Sequence, residues 1–301
     1  MKPYILVIGS SNTDMVIKSS RIPQPGETIL GGTFFMNAGG KGANQAVAAA
    51  RLGGNISFIA KTGNDIFGKQ AIELFRSEGI DVSGIITDAQ HPSGVALITV
   101  DANGENCIVV APGANAALNI KDIETVKEKI ENASVILMQL ETPVSTIEYV
   151  AEIALEKNIK VVLNPAPAAA LSDDLLKKIS LITPNQKEAE MLTGIKVTDK
   201  NSATEAAKIL NQKGIETVII TMGAQGAFLY HNHEGNMIES VKVNAVDTTA
   251  AGDVFNGALV VALANGKGTK QAVGFACKAA AISVTRLGAQ ASAPYLNEIP
   301  S

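Results

Sequence analysis

The chain has 301 residues, of which 46% are hydrophobic and 18% charged, and its net charge is −4. This composition excludes a disordered chain and can fill one large α/β domain or two ordinary ones. The acidic balance argues against a general nucleic-acid binder. No apolar run has the length of a membrane span or a signal segment, so we expect a cytoplasmic protein that binds neither nucleic acid nor membrane.

Short apolar runs alternate with stretches of helical periodicity along the chain. The apolar runs predict buried parallel strands at residues 4–8, 56–60, 135–140, 160–163, 181–183 and 218–222. The periodic stretches predict helices at residues 42–52, 67–78, 120–131, 146–157, 202–213, 254–264 and 271–282. Such alternation is typical of βαβ units, so we expect an α/β fold with a central, mostly parallel sheet and helices on both faces.

Two segments, 15–36 and 94–110, interrupt this rhythm. The first combines prolines and glycines with apolar/polar alternation, and the second is a hairpin pattern around an Asn103-Gly104 turn. We assign both to a small separate antiparallel sheet within a single domain spanning residues 1–301. Because an exposed sheet with an apolar face must cover a site or pair with a partner, we favour a lid over a decorative hairpin.

Ligands of open parallel sheets bind beyond the carboxyl ends of the strands, so polar residues that follow strands are candidates. Such residues are Asn12, Asp14, Glu141, Asn164, Asn185 and the loop 221–226. The glycine-rich stretch 38–44 opens a predicted helix but matches neither the P-loop nor the dinucleotide fingerprint, which argues against a nicotinamide cofactor.

One subset of these polar groups has the character of a sugar site. It consists of Asn12, Asp14, Asn44 and Glu141. Neutral and acidic groups suit many hydroxyls and would repel a phosphorylated sugar. Lys41, at the start of the same predicted helix as Asn44, is either a phosphate contact or a solvated lysine.

The most informative stretch is 247–259, where Asp247 and Asp253 flank a loop of small residues before an apolar helix. Small residues leave the first N–H groups of a helix approachable, and the helix dipole adds positive potential there. A carboxylate beside such an anion hole suits phosphoryl transfer to a hydroxyl. The alternative is that Asp253 is only a helix cap.

Three other segments have weaker signals. The loop 221–226 is either a nucleotide phosphate loop or a simple glycine turn. Asn185 and Glu188 form either a capping box or a site for phosphate and magnesium-bound water. The turn 283–292 is rich in carbonyls and, with Asp247, could hold a monovalent cation.

Residues 247–258, Asp-Thr-Thr-Ala-Ala-Gly-Asp-Val-Phe-Asn-Gly-Ala, resemble the second signature of the ribokinase (PfkB) family of carbohydrate kinases. Residues 39–46, Gly-Gly-Lys-Gly-Ala-Asn-Gln-Ala, resemble the first signature, and Asn185-x-x-Glu188 resembles the family's magnesium and phosphate motif. The resemblance spans essentially the whole chain. The Asn12-x-Asp14 pair and residues 138–141 are more similar to the ribose-specific members than to fructokinases, adenosine kinases or phosphofructokinases.

This resemblance implies a Rossmann-like ribokinase fold with a small β lid, and homodimers formed lid against lid. It implies ATP-dependent phosphorylation of D-ribose at O5, with Mg²⁺ and a monovalent cation such as K⁺. Asp253 would be the general base, beside an anion hole formed by Ala250, Ala251 and Gly252. Ribose would be held by Asn12, Asp14, Gly40, Lys41, Gly42, Asn44 and Glu141.

The same resemblance implies contacts for ATP and for the metals. ATP would contact Asn185, Thr221, Gly223, Ala224, Gly226, Gly252 and Cys277, although relatives often have a larger polar residue than Cys at this last position. The monovalent cation would lie among Asp247, Thr249, Ser283, Arg286, Gly288 and Ser292, several of them through backbone carbonyls. Glu188 would contact Mg²⁺ through water.

Two rival functions remain open at this point. A kinase of the same family acting on a nucleoside or a ketose is the nearer one, although 4% aromatic residues and no Trp argue against a nucleoside site. A non-catalytic sugar-binding protein is the other. Asp253 beside an anion hole argues against it, because binding alone needs no base.

Overall fold

The computed structural model describes residues 2–300, and these form two sheets surrounded by helices. The larger sheet has nine strands: β1 Tyr4–Ile8, β4 Asn55–Gly63, β5 Asp81–Asp88, β8 Val135–Met138, β9 Lys160–Leu163, β10 Leu181–Ile182, β11 Thr217–Thr221, β12 Ala227–His231 and β13 Glu234–Ile238. The smaller has four: β2 Asn12–Lys18, β3 Thr33–Gly39, β6 Gly94–Val100 and β7 Asn106–Ala111.

The strand order of the larger sheet is β13-β12-β11-β10-β9-β8-β1-β4-β5. Its strands pair in parallel except for β12 and β13, which form an antiparallel edge. The predicted mostly parallel sheet is therefore confirmed.

Ten helices lie in the described part of the chain: α1 Lys41–Arg51, α2 Ile66–Ser77, α3 Ile120–Thr125, α4 Lys127–Glu131, α5 Val144–Glu156, α6 Asp173–Leu176, α7 Gln186–Thr193, α8 Lys200–Gln212, α9 Ala251–Ala264 and α10 Thr269–Ser283. The prediction of a single helix at 120–131 is wrong, because this segment forms two short helices, α3 and α4. They are separated at Val126, whose backbone angles of −124° and 15° are not helical.

Two hydrophobic clusters lie on the two faces of the larger sheet, because successive residues of a strand point to opposite sides. Ile5 and Val7 of β1 pack in one cluster with α1, α9 and α10. Leu6 and Ile8 of the same strand pack in the other with α5 and α8. This two-sided burial explains why these strands read as continuous apolar runs.

The smaller sheet has the spatial order β3-β2-β6-β7. Its β2 pairs antiparallel with β3 but parallel with β6, so the sheet is mixed and not purely antiparallel as expected. Its strands also reach beyond the predicted segments, since β2 begins at Asn12 and β3 ends at Gly39. The sheet is thereby joined directly to the sugar-site candidates. Within residues 2–300, no helix has the length and apolar character needed to cross a membrane.

Candidate active site

The start of α9 is open and uncapped, as an anion hole requires. Ala250 precedes the helix in the left-handed conformation, with φ of 58°, and no side chain caps the first turn. The helix begins at Ala251, three residues earlier than predicted, so Asp253 lies within its first turn and is not its cap. A Cβ placed on Gly252 would have no heavy atom within 4 Å, so the backbone there is open to a ligand. The N–H groups of this turn are consequently available to an anion.

Asp253 is 6% exposed, and each of its carboxylate oxygens accepts one hydrogen bond. Oδ2 accepts from Nδ2 of Asn44 at 2.9 Å, and Oδ1 accepts from Nε2 of Gln45 at 2.9 Å. Burial raises the pKa of Asp253, while Lys41 and the two amide donors act in the opposite direction. The result is a fixed, desolvated carboxylate next to the anion hole. Gln45 was not predicted as a site residue, and its only sequence signal is its place beside Asn44.

The glycine-rich turn before α1 brings the next group of candidates together. Gly40 has φ of 88°, and a Cβ there would lie 2.8 Å from the backbone nitrogen of Asn12. Glu141 accepts a hydrogen bond from the backbone N–H of Lys41 at 2.9 Å and another from Ser10 Oγ. The turn and the loop after β8 are therefore tied together through this carboxylate.

Gly42 is the second glycine of this turn with a clear packing role. A Cβ on Gly42 would lie 2.6 Å from the backbone nitrogen of Ser10, so only glycine lets α1 start this close to the end of β1. Ser10 was not predicted as a site residue, because serine in a short loop after a strand has no distinctive pattern.

Asn12 and Asp14 lie in β2, not in a loop after β1. Asn12 accepts a hydrogen bond from Nδ2 of Asn115 at 2.8 Å, and Asn115 was not predicted as a site residue. Asp14 lies against Gly39, where any Cβ would collide with its carboxylate. Burial, and secondly the charge of Glu141, raise the pKa of Asp14 to about 6. Two acidic groups thus share this end of the site.

Asn44 has a buried side-chain oxygen that lacks a hydrogen-bond partner among the described residues. Its Nδ2 is used by Asp253, whereas its Oδ1 is buried with no hydrogen-bond partner among the described residues. Buried polar atoms are rarely left unpaired in proteins. A hydroxyl donor of a bound sugar would satisfy this atom.

Asn185 and Glu188 form the capping box at the start of α7. Asn185 Oδ1 accepts from the N–H of Glu188 at 2.9 Å, and Glu188 Oε2 accepts from the N–H of Asn185 at 2.8 Å. Burial raises the pKa of Glu188, and the charge of Asp253 acts in the same direction. The capping box is therefore formed. Glu188 also lies close enough to Asp253 for the two charges to interact.

The loop after β11 is a tight turn between two strands. A 3₁₀ turn at Gly223–Gln225 includes Ala224, and Gly223 and Gly226 have φ of 56° and 99°. Thr221 and Asn185 form an isolated parallel β-bridge at the ends of neighbouring strands, so two predicted ATP contacts are adjacent. A Cβ on Gly223 would meet no atom within 4 Å, which leaves its backbone open to a ligand.

Cys277 lies in α10 and is 5% exposed within the hydrophobic core. Burial raises the pKa of its thiol to about 11, so the residue is an inert apolar group. Only a small part of its surface is open to an adenine ring.

Asp247 joins two loops at one end of α9. Its Oδ1 accepts from the N–H of Thr249 and its Oδ2 from the N–H of Gly288, each at 2.9 Å. Burial raises the pKa of Asp247, but these hydrogen bonds outweigh that effect, so the pKa lies below its ordinary value. The carboxylate is therefore an anion that draws the 283–292 turn against the loop before α9.

The remaining members of the predicted cation ring are part of that turn. Ser283 and Ser292 are buried, and their hydroxyls donate to the carbonyls of Ala280 and Ala289. The guanidinium of Arg286 pairs with Glu298 at 2.6 Å and is itself positive, so a cation could be bound at this residue only through the backbone carbonyl.

Nearly the whole chain matches one family model. The family model of pfkB family carbohydrate kinases matches residues 2–296. The chain belongs to this family. A ribokinase of Haemophilus influenzae is 48% identical over 298 residues, covering 99% of this chain and 97% of that protein. A ribokinase of Staphylococcus aureus is 42% identical and covers 99% of both.

A solved pfkB-type structure gives the same result for the fold. The structure of Arabidopsis thaliana ribokinase complexed with ribose and ATP superposes with a TM-score of 0.92 at 30% identity, covering 99% of this chain and 98% of that one. The predicted ribokinase fold is therefore confirmed.

Mg²⁺ that accompanies ATP would not require a site built from protein side chains alone. Within residues 2–300, no three His, Cys, Asp or Glu side chains form a metal-binding group. Mg²⁺ that arrives with ATP takes most of its ligands from phosphate oxygens and water and needs only one or two protein carboxylates. Glu188, buried beside the anion hole, fits that requirement.

Proposed function

We propose that this pfkB-family kinase transfers the γ-phosphoryl group of ATP to O5 of D-ribose, giving D-ribose 5-phosphate and ADP. The observation that carries the proposal is the buried Asp253 carboxylate, fixed by Asn44 and Gln45 at the open first turn of α9. High identity to ribokinases over nearly the full length supports ribose as the acceptor.

In this mechanism, Asp253 accepts the proton of the O5 hydroxyl as that oxygen attacks phosphorus. Burial raises the pKa of Asp253, which makes the ionised carboxylate a better proton acceptor. The N–H groups at Ala251 and Gly252 stabilise the charge on the transferring group, and Ala250 orients them. Such transfers depend on positioning and charge stabilisation more than on covalent chemistry.

The sugar lies between the lid sheet and α1. Its hydroxyls are bound by Asn12, Asp14, Gly40, Lys41, Gly42, Asn44 and Glu141. The unpaired Oδ1 of Asn44 accepts from one of them. Because Asp14 and Glu141 are acidic, they favour a neutral sugar over a phosphorylated one.

ATP binds along the open loops at the other side of Asp253. Its contacts are Asn185, Thr221, Gly223, Ala224, Gly226, Gly252 and the edge of Cys277. Glu188 would contact Mg²⁺ through water, and the ion bound with ATP would supply neutralisation of the phosphate charge. A monovalent cation, to be tested first with K⁺, would be held by Asp247, Thr249, Ser283, Arg286, Gly288 and Ser292. Asp247 supports that proposal, since it already draws both loops together.

The small sheet acts as a lid over the sugar and as a dimer interface. One face of it includes Asp14 and the buried residues Val16 and Ala96. The opposite face, here called the apolar lid face, contains Ile17, Phe34, Met36, Leu97 and Val109, which are 45–64% exposed. An exposed apolar patch of this kind favours pairing with a second copy.

The test is ADP release measured with MgATP, KCl and ribose, in parallel with 2-deoxyribose, fructose, adenosine and no sugar. We expect ribose-dependent release that falls when K⁺ is replaced by a larger organic cation. Turnover with another acceptor but not ribose would keep the mechanism and reject the substrate. No turnover with any acceptor, in folded protein, would favour a sugar-binding protein.

A further inference from the structure

A network of buried hydrogen bonds connects the proposed base to the residue that precedes it in the chain, Gly252. From Asp253 it passes to Gln45 of α1 at 2.9 Å, and Nε2 of Gln45 also donates to Oδ1 of Asn164 at 3.0 Å. These residues are almost wholly buried: Gln45 is 0%, Asp253 6% and Asn164 7% exposed. Hydrogen bonds in so dry an environment fix geometry strongly, because no water can replace a lost partner.

The network then returns to α9, the helix that contains the base. Nδ2 of Asn164 donates to the backbone carbonyl of Thr183 at 3.2 Å, and the Thr183 hydroxyl donates to Oδ1 of Asn256 at 2.6 Å. Nδ2 of Asn256 donates to the carbonyl of Gly252 at 2.8 Å. One connected network therefore joins the base to the adjacent glycine of the anion hole.

The orientation of the Gln45 amide is fixed by a second buried glutamine, Gln139. Gln139, which is 0% exposed and follows β8, donates from Nε2 to Oε1 of Gln45 at 2.6 Å. With Oε1 so engaged, the amide nitrogen must face the two acceptors, Asp253 and Asn164. A Cβ on Gly9 would collide with the side-chain oxygen of Gln139, so glycine at the end of β1 leaves room for this support.

We propose that Gln45, held by Gln139 and Asn164, is a positioning residue that locks Oδ1 of Asp253 and so presents Oδ2 to the sugar hydroxyl. This inference rests on the proposed role of Asp253 as base. A neutral amide suits the task, because it orients the carboxylate without the strong charge pairing that would suppress its basicity. Lys41, Glu141 and Glu188 are the charged groups around Asp253, from α1, the loop after β8 and α7.

The test measures single-turnover phosphoryl transfer by rapid quench across pH in Gln45→Met, Gln139→Met and Asp253→Asn. For Gln45→Met we expect a rate roughly 10–100-fold lower, with the ribose KM within about threefold of wild type. Because loss of a donor to an anion favours the protonated form, the acid limb of its pH profile should move to higher pH. Gln139→Met should show the same changes to a smaller extent.

The control is Asn211→Met, which removes a half-buried amide on α8 that donates to the carbonyl of Ile215 at 2.8 Å, away from the site. It should lower thermal stability without moving the pH profile. If Gln45→Met fails to fold, the transfer rate and the acid limb of Gln139→Met test the inference in its place. Unchanged rate and acid limb in the folded variants, with a large loss in Asp253→Asn, would overturn this inference alone. Less than tenfold loss in Asp253→Asn would overturn the base assignment as well.

Discussion

Within residues 2–300, Asp253 has two neutral amide donors and no direct cationic partner, so its negative charge is held in place but not cancelled. Asp253→Asn keeps the shape of the side chain but cannot accept a proton. We expect kcat to fall by about 10²–10⁴ while the ribose KM changes little, since loss of a positioned base typically has that effect. Steady-state kinetics with ribose check this. A variant that turns over normally but binds ribose poorly would contradict the role of base.

Asp14 is a residue whose charge opposes folding, because burial disfavours the ionised carboxylate. Its pKa in the folded protein is about 6, above the ordinary 3.8, so the folded state binds the proton more tightly than the unfolded state. Folding stability from this group therefore falls as pH rises from about 4 to 6, and the full penalty remains above pH 6.

Asp14→Asn removes that penalty. We expect its free energy of unfolding to exceed wild type by about 1–2 kcal/mol at pH 8 and by little near pH 4, with a raised ribose KM at both. Urea unfolding at the two pH values measures this. An equal effect at both pH values would show that ionisation of Asp14 is not the cause.

The residues that sequence reasoning found and those it missed differ in a physical way. Asn44 and Asp253 stand in distinctive local patterns, a glycine-rich turn and a small-residue helix start. Gln45 lies in the same stretch as Asn44, but nothing in that stretch shows that its side chain reaches Asp253, 208 positions away, and Asn115 contacts Asn12 from 103 positions away. Their roles depend on the packing of separate elements, which no local pattern records.

At the scale of elements, α1 can start against β1 only because of its glycines. Gly40→Ala adds a Cβ 2.8 Å from the Asn12 nitrogen and 2.9 Å from the Ser11 Cα, in a backbone with φ of 88°. Gly79→Ala is the matched control, since Gly79 has φ of 76° but no atom within 4 Å of its Cβ. Any difference between the two variants isolates the contact within the site.

We expect Gly79→Ala to lower the free energy of unfolding by about 1 kcal/mol, from left-handed backbone strain alone. Gly40→Ala should lower it by about 2–4 kcal/mol and should also raise the ribose KM, because the added carbon displaces Asn12. Urea unfolding and ribose kinetics measure these effects. Equal losses in the two variants, with normal ribose binding, would reject a close fit at Gly40.

Elements with a clear hydrophobic signal were predicted well, and those without one were not. The strands β1 and β9 match their predicted bounds because burial on both faces makes them continuous apolar runs. In contrast, β5 has the sequence Asp-Val-Ser-Gly-Ile-Ile-Thr-Asp and lies at the sheet edge, where partial exposure permits polar residues. The break at Val126 also had no sequence signal, because neither Gly nor Pro marks it.

For the whole molecule, the proposed pairing of two copies depends on the apolar lid face. Leu97 and Val109 lie directly opposite each other on adjacent strands of that face and are 56% and 64% exposed. Leu97→Asp would place a charge in the proposed interface between two copies, where it would lose water without gaining a partner.

We therefore expect Leu97→Asp to convert a dimer into a monomer, and to raise the ribose KM if pairing steadies the lid. Ile66→Asp is the control, since Ile66 on α2 is 62% exposed but does not belong to the lid sheet. Sedimentation velocity at micromolar protein gives the mass of each species. Wild type and Leu97→Asp with the same mass would reject the lid-to-lid dimer, whereas a change in both variants would point to general loss of solubility.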